Sequence, residues 1–198
     1  MEAADWIGLG TLIVTAMGLA AVFLEILQAK SVQEGEFARQ KTIDTFEFYD
    51  NSRSRIRDNH QIVISALTKA FPDIPSEGTI PLCELQVSYL VSDGEENRAI
   101  RAKVVDSLAL LERLAIGVNM GVFDEEVIFK LSRTQISGYL GYYSRYILYA
   151  RSWTPAAYAE FEALASRFHK RSVLDGKKPS VAYEAAVELQ LLPIREKK

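Results

Sequence analysis

The run from Trp6 to Leu24, WIGLGTLIVTAMGLAAVFL, is 19 residues long and carries no charge. In a helix rising about 1.5 Å per residue it reaches roughly 28 Å, close to the ~30 Å hydrocarbon thickness of a bilayer. Asp5 and Glu25 bracket the run, and Trp6 stands where an aromatic ring favours the membrane interface. A soluble helix of this length keeps a polar stripe, and this run shows none. Residues 6–24 therefore read as one transmembrane helix, with Trp6 as its interfacial anchor.

A cleaved signal peptide fits less well. Leu27-Gln28-Ala29 loosely resembles a cleavage site. The residues ahead of the run include Glu2 and Asp5 but no Lys or Arg, and the apolar stretch is longer than the usual signal core of about 7–15 residues. An uncleaved anchor is expected. Lys30, Arg39, Lys41, Arg53, Arg55 and Arg57 all follow the span, and the side richer in Lys and Arg stays in the cytoplasm. The expected topology has residues 1–5 outside and the remaining domain in the cytoplasm, at the inner (plasma) membrane. Thr11/Thr15 and Ala16/Ala20 are small pairs four apart, which lets helix backbones approach closely, but they also match the ordinary composition of membrane spans.

Beyond the span the chain reads as helix after helix. Residues 25–41 form a helical connector whose only weak point is Gly35, where the helix either runs on or hinges. From Thr42 to Phe71, the residues Phe46, Tyr49, Ile56, Val63, Leu67 and Ala70 recur at helical spacing and define one apolar face. Arg53 and His60 lie near that stripe. The PDIPSEGTIP stretch breaks the helix. Leu82 to Val91 is too short for periodicity to decide between helix and strand. A long helix follows from Glu95 to Asn119, with Ile100, Val104, Leu108, Leu111, Ala115 and Val118 as its apolar stripe. Asp124 caps the next helix, which runs towards Ser152 and carries Tyr139, Tyr142, Tyr143, Tyr146 and Tyr149. Thr154-Pro155 reads as the start of a fourth helix bearing Tyr158, Phe161, Ala165 and Phe168. Ser180 caps a last short helix through Leu191. The fold class is all-α: one N-terminal transmembrane helix and a cytoplasmic bundle of four to five helices over residues 42–191, then a loose tail, 192–198.

The chain has 48% hydrophobic and 25% charged residues, the balance of a folded domain. Its net charge of -3 offers no nucleic-acid footprint. A single cysteine, Cys83, precludes an intramolecular disulfide. Two histidines, 109 positions apart at 60 and 169, give no metal-ligand spacing, and no glycine-rich phosphate loop or GxSxG elbow occurs. No catalytic, cofactor or metal residue is assigned. Arg53 would need a partner if buried, and Glu112, at the border of the facing stripe, is the candidate for a structural ion pair. His60 reads as a hydrogen-bonded core residue ahead of a general base. Tyr142 and Tyr146 read first as helix packing and second as a partner surface. The basic run Arg167, His169, Lys170, Arg171 reads as a solvated last turn, with anionic lipid as the other reading.

Two segments, LLERLAIGVNMGVFDEEVI (Leu110 to Ile128) and YYSRYILYAR (Tyr142 to Arg151), resemble a bacterial family known only as a domain of unknown function. Its pattern pairs an apolar-Glu helix (Leu111-Glu112) with a Gly-acidic turn (Gly121 to Asp124) and ends the next helix on an arginine (Arg151). The resemblance covers residues 6 to about 151 and implies a membrane anchor ahead of a small helical domain, in a setting of mobile elements and phage-defence genes. It implies no reaction. The expected function is a non-enzymatic, membrane-tethered interaction or scaffold module, whose partners are the lipid bilayer and a protein or a second copy, with no nucleic acid and no cofactor. Two alternatives stay open: a membrane effector whose span oligomerises and perturbs the bilayer, and an enzyme built on His60, Arg53 and Glu112.

Overall fold

The structure is a computed structural model that describes residues 3–74 and 78–192, with side chains described except at 3–22, 26 and 27. Six α-helices and no strand occur among the described residues: α1 (Ala3–Ala70), α2 (Glu84–Val91), α3 (Glu95–Asn119), α4 (Glu125–Arg151), α5 (Ala159–Leu174) and α6 (Val181–Glu188). The all-α expectation holds. These six helices exceed the four to five expected for the bundle because the undecided segment, residues 82–91, is helical. Gln86 Oε1 accepts the Cys83 N–H at 3.0 Å and closes the first turn of α2.

Among the described residues no helix is long and apolar enough to cross a membrane. The expected span, with Trp6, falls outside the residues whose side chains are described, save for Phe23 and Leu24, which are exposed. The chain divides into two compact units, Met1–Ile43 and Asp44–Lys198. The first is helical. Gly35 lies inside α1, with no neighbour in its surroundings, and the helix runs through it. Val32, Phe37 and Ile43 are exposed there.

The second unit holds the core. The last part of α1 buries Tyr49, Ile56, Val63 and Leu67, as its period predicts, but Phe46 is 47% exposed and Ala70 is exposed too. Thr45, Ser52 and Asn59 take up the buried face instead. That face runs 45, 49, 52, 56, 59, 63, 67, at spacings of four and three throughout. Two of its polar members have partners across the core: Thr45 Oγ1 accepts the Asp124 N–H at 2.8 Å, and Asn59 donates to Asp106 at 2.7 Å. Every residue of the expected α3 stripe is buried. α4 is the central element, packed against α2, α5 and α6. Its tyrosines 142, 143 and 146 are buried, so the packing reading holds, and Tyr149 lies at the rim. α5 begins at Ala159, not at Thr154-Pro155. Residues 155–158 form turns, and Tyr158, at φ 58°, enters the helix from the left-handed region. α6 follows Ser180, but the Ser180 side chain makes no capping hydrogen bond and the helix ends at Glu188, short of the expected Leu191.

Candidate functional site

The most chemically distinctive cluster in the second unit is centred on His60. The side chain leaves α1 and enters a sleeve of α4 tyrosines, with rings of Tyr139, Tyr142 and Tyr143 set edge-to-face at centroid distances of 5.0, 4.8 and 5.6 Å. These three tyrosines converge because positions 139, 142 and 143 are neighbours on one helical face. A hydrogen bond of 2.9 Å joins His60 Nδ1 to the Tyr143 hydroxyl. Gly78, at φ +73°, closes the other end: a Cβ there would lie 3.0 Å from His60 Nε2. Only glycine combines that backbone with that contact.

The electrostatics follow from the packing. Burial disfavours the imidazolium and pushes His60 down to about 4. The same desolvation raises Tyr143 well above the usual phenol range, with neighbouring Tyr142 and Tyr139 adding to it, and raises Tyr142 as well. At neutral pH all three groups are uncharged. A neutral imidazole held by a phenol, with no carboxylate hydrogen-bonded to it among the described residues, rigidifies the α1–α4 contact. It lacks the orienting acid of a histidine general base. The Tyr142 hydroxyl is buried without a hydrogen-bond partner among the described residues.

The expected pairing of Arg53 with Glu112 is not made. Arg53 is exposed and lies over the Tyr49 ring at 5.9 Å. It sits one position beyond the buried Ser52, and the extra 100° of helical rotation carries a long charged side chain to solvent. Glu112 instead reaches α5, where its Oε2 accepts the Phe161 N–H at 2.7 Å and its Oε1 accepts the Glu160 N–H at 3.3 Å. The trio His60, Arg53 and Glu112 does not form one site.

The partly buried ion pair lies elsewhere. Arg151, at the end of α4, meets Glu162 of α5 at 2.6 Å, with side chains 22% and 10% exposed. Arg151 Nε also donates to the Ala157 carbonyl at 2.9 Å. The same arginine therefore ties down the irregular turn ahead of α5. Tyr146 is buried near this turn, and burial, with Tyr158 close by, raises its phenol to about 12. Asp124 caps α4 as expected: its Oδ1 accepts the N–H groups of Glu126 and Val127 at 2.9 and 3.2 Å. The basic run on α5 is not merely solvated. Arg167 pairs with Glu125 at 3.3 Å and Arg171 with Glu126 at 2.5 Å, joining the last turns of α5 to the first turn of α4. Among the described residues no three His, Cys, Asp or Glu side chains gather as a metal site.

A family model described as "Domain of unknown function (DUF4760)" matches residues 12–168. The chain belongs to the DUF4760 family. No curated protein and no solved structure matches it. The DUF4760 match reaches past residue 151, where the resemblance ended, to include the Arg151–Glu162 pair and most of α5. The DUF4760 region thus holds the His60 sleeve, the Glu112 cap and the Asp124 cap, while α6 lies beyond it. Sequence reasoning missed Tyr139 and Tyr143 as partners of His60. Their i, i+4 spacing, with Tyr142 between, was the available signal.

Proposed function

We propose that this DUF4760 chain is a non-enzymatic, membrane-tethered interaction module of the bacterial inner membrane, with residues 6–24 as its single span and the helical domain in the cytoplasm. The observation that carries this reading is the make-up of α1. One helix contains both the uncharged 19-residue run and, from Thr45 to Leu67, a wall of the domain core. A tether of that kind raises the local concentration of whatever the domain holds without requiring a catalytic group. The histidine sleeve supports the reading, because its groups are neutral and packed. Exposed Val32 and Ile43 share a face of α1 and suit contact with a second apolar helix. The resemblance supports phage defence or exclusion as the setting of this proposed module.

The test uses the full chain in cells and in detergent. The protein is expected to stay with membranes through alkaline carbonate extraction, and a variant lacking residues 6–24 is expected in the soluble fraction. Light scattering of the detergent-solubilised full chain is expected to give more than one copy per particle, or one copy that crosslinks in cells to a discrete protein. Extraction of the full chain by carbonate would remove the tether. A monomer without any crosslinked partner would remove the interaction module and leave the tether intact.

A further inference from the structure

A cleft of about 450 Å³ opens between α4, the start of α6 and the segment ahead of α2. Its polar lining comes from Arg133 and Thr134 of α4, Lys178 and Ser180 ahead of α6, and Thr79, and no Asp or Glu lines it among the described residues. Ser180 is only 7% exposed. It stands at the N-cap of α6, yet its side chain makes no capping hydrogen bond and has no partner elsewhere among the described residues. A buried N-cap serine normally spends its hydroxyl on the second or third N–H of its helix. This hydroxyl is left for the cleft.

Arg133 repeats the pattern independently. Its Nε is buried without a hydrogen-bond partner, and no carboxylate pairs with the guanidinium among the described residues. It lies over the Phe129 ring, at 5.6 Å. Lys178 is exposed and forms no ion pair among the described residues. By contrast Arg151, Arg167 and Arg171 all have carboxylate partners. Leaving the buried Nε of a half-buried guanidinium unmatched costs stability, and an arriving anion would recover it. The first turn of α6 completes the arrangement. It is pressed onto α4 at Gly141, where a Cβ would fall 2.2 Å from the Ala182 carbonyl, so its free N–H groups are fixed at the cleft edge.

We propose that this cleft binds a phosphoryl group, with Arg133 and Lys178 on its charge and Ser180 with the first N–H groups of α6 on its oxygens. Two cations, a hydroxyl and a helix N-terminus match a dianionic, multiply accepting group better than a carboxylate. The volume leaves room for the organic part of a small phosphate ester or for a phospholipid headgroup. The site lies outside the 12–168 match in Lys178 and Ser180, and it stands whether or not residues 6–24 span a bilayer.

The experiment is a melting and ³¹P NMR titration of the full chain in neutral detergent, with inorganic phosphate and pyrophosphate against sodium chloride of equal ionic strength. Expected is a saturable rise in melting temperature. Arg133→Gln should weaken it at least tenfold in apparent Kd and Ser180→Ala several-fold, while Arg167→Gln leaves the affinity unchanged. Ser180→Ala removes no hydrogen bond, so it should fold normally. A second arm places the chain in phosphatidylcholine nanodiscs with and without phosphatidic acid. Stabilisation there alone, again lost in Arg133→Gln, assigns the phosphoryl group to a lipid. A response equal to that of chloride, or one indifferent to Arg133→Gln and Ser180→Ala in both arms, overturns the site.

Discussion

Glu112 of α3 holds the first turn of α5 from outside: its Oε2 lies 2.7 Å from the Phe161 nitrogen and accepts that N–H. A helix start usually takes its cap from the residue just before it. Here that residue is Tyr158, at φ 58°, with no oxygen placed for the task. The carboxylate substitutes for a local cap and also suits the positive end of the helix. Glu112→Ala should therefore lower stability by about 1–2 kcal/mol, the cost of losing a cap. Glu112→Gln, which keeps one acceptor, should lose less than half of that. Urea denaturation of the full chain in detergent measures both. Equal stability of Glu112→Ala and wild type would show that α5 starts without this contact.

His60 makes stability depend on pH in a defined direction. Its ordinary value is 6.5, and burial lowers it to about 4 in the folded protein. The unfolded chain thus binds the proton first. This contribution is fully present above about pH 6.5 and is lost as pH falls towards 4, by about 2–3 kcal/mol. His60→Gln, which cannot titrate, should flatten the stability curve between pH 6.5 and 4. The slope that remains belongs to other groups, including His169, which burial lowers and Glu184 partly restores. Chemical denaturation at half-unit pH steps gives the two curves, and parallel curves would contradict a buried, neutral imidazole.

Much of the fold was legible because apolar periodicity is a local signal. The α3 stripe from Ile100 to Val118 needed nothing beyond its own spacing. The α1 face was read one residue out at its start, with Phe46 in place of Thr45. Thr45 and Asn59 are buried through partners, Asp124 and Asp106, that no local pattern announces. The start of α5 was misplaced for a related reason. Thr154-Pro155 is a good local signal, but the decisive cap comes from Glu112, nearly fifty residues earlier. Arg53 and Glu112 were joined because each bordered an apolar stripe. Stripe borders fix a helical angle, not the element that angle faces. The tyrosine sleeve of His60 and the unmatched Arg133 are likewise products of packing between distant segments.

Two glycines should respond to the same substitution with opposite signs. A Cβ on Gly141 would meet the Ala182 carbonyl at 2.2 Å and the Tyr183 nitrogen at 2.4 Å, both backbone atoms that cannot step aside. Gly141→Ala should push α6 off α4 and cost about 3 kcal/mol. Gly35 lies within α1 with nothing inside 4 Å, so Gly35→Ala should gain up to about 1 kcal/mol of local helix stability. Hydrogen exchange resolves the two effects. Gly141→Ala should expose the amides of α6, and Gly35→Ala should slow exchange around residues 30–40. Normal protection of α6 in Gly141→Ala would mean that the helices do not approach so closely.

The Arg151–Glu162 pair separates the cost of breaking a buried ion pair from its net worth. The side chains meet at 2.6 Å with little solvent access, and Arg151 also holds the Ala157 carbonyl. Arg151→Met strands the Glu162 carboxylate in a site that is 8% exposed, and should cost about 3 kcal/mol. Glu162→Leu strands the guanidinium, but Arg151 sits nearer to water and keeps its backbone acceptor, so the loss should be smaller. The double variant removes both charges together. Because two desolvated charges roughly break even against apolar residues of similar size, it should recover most of the loss in Arg151→Met. The residual deficit then measures the Ala157 hydrogen bond, about 1 kcal/mol. Unfolding free energies of the four proteins, taken at one pH and salt concentration, close the cycle. Strict additivity of the two single losses would mean that the arginine stabilises the turn before α5 and does nothing for Glu162.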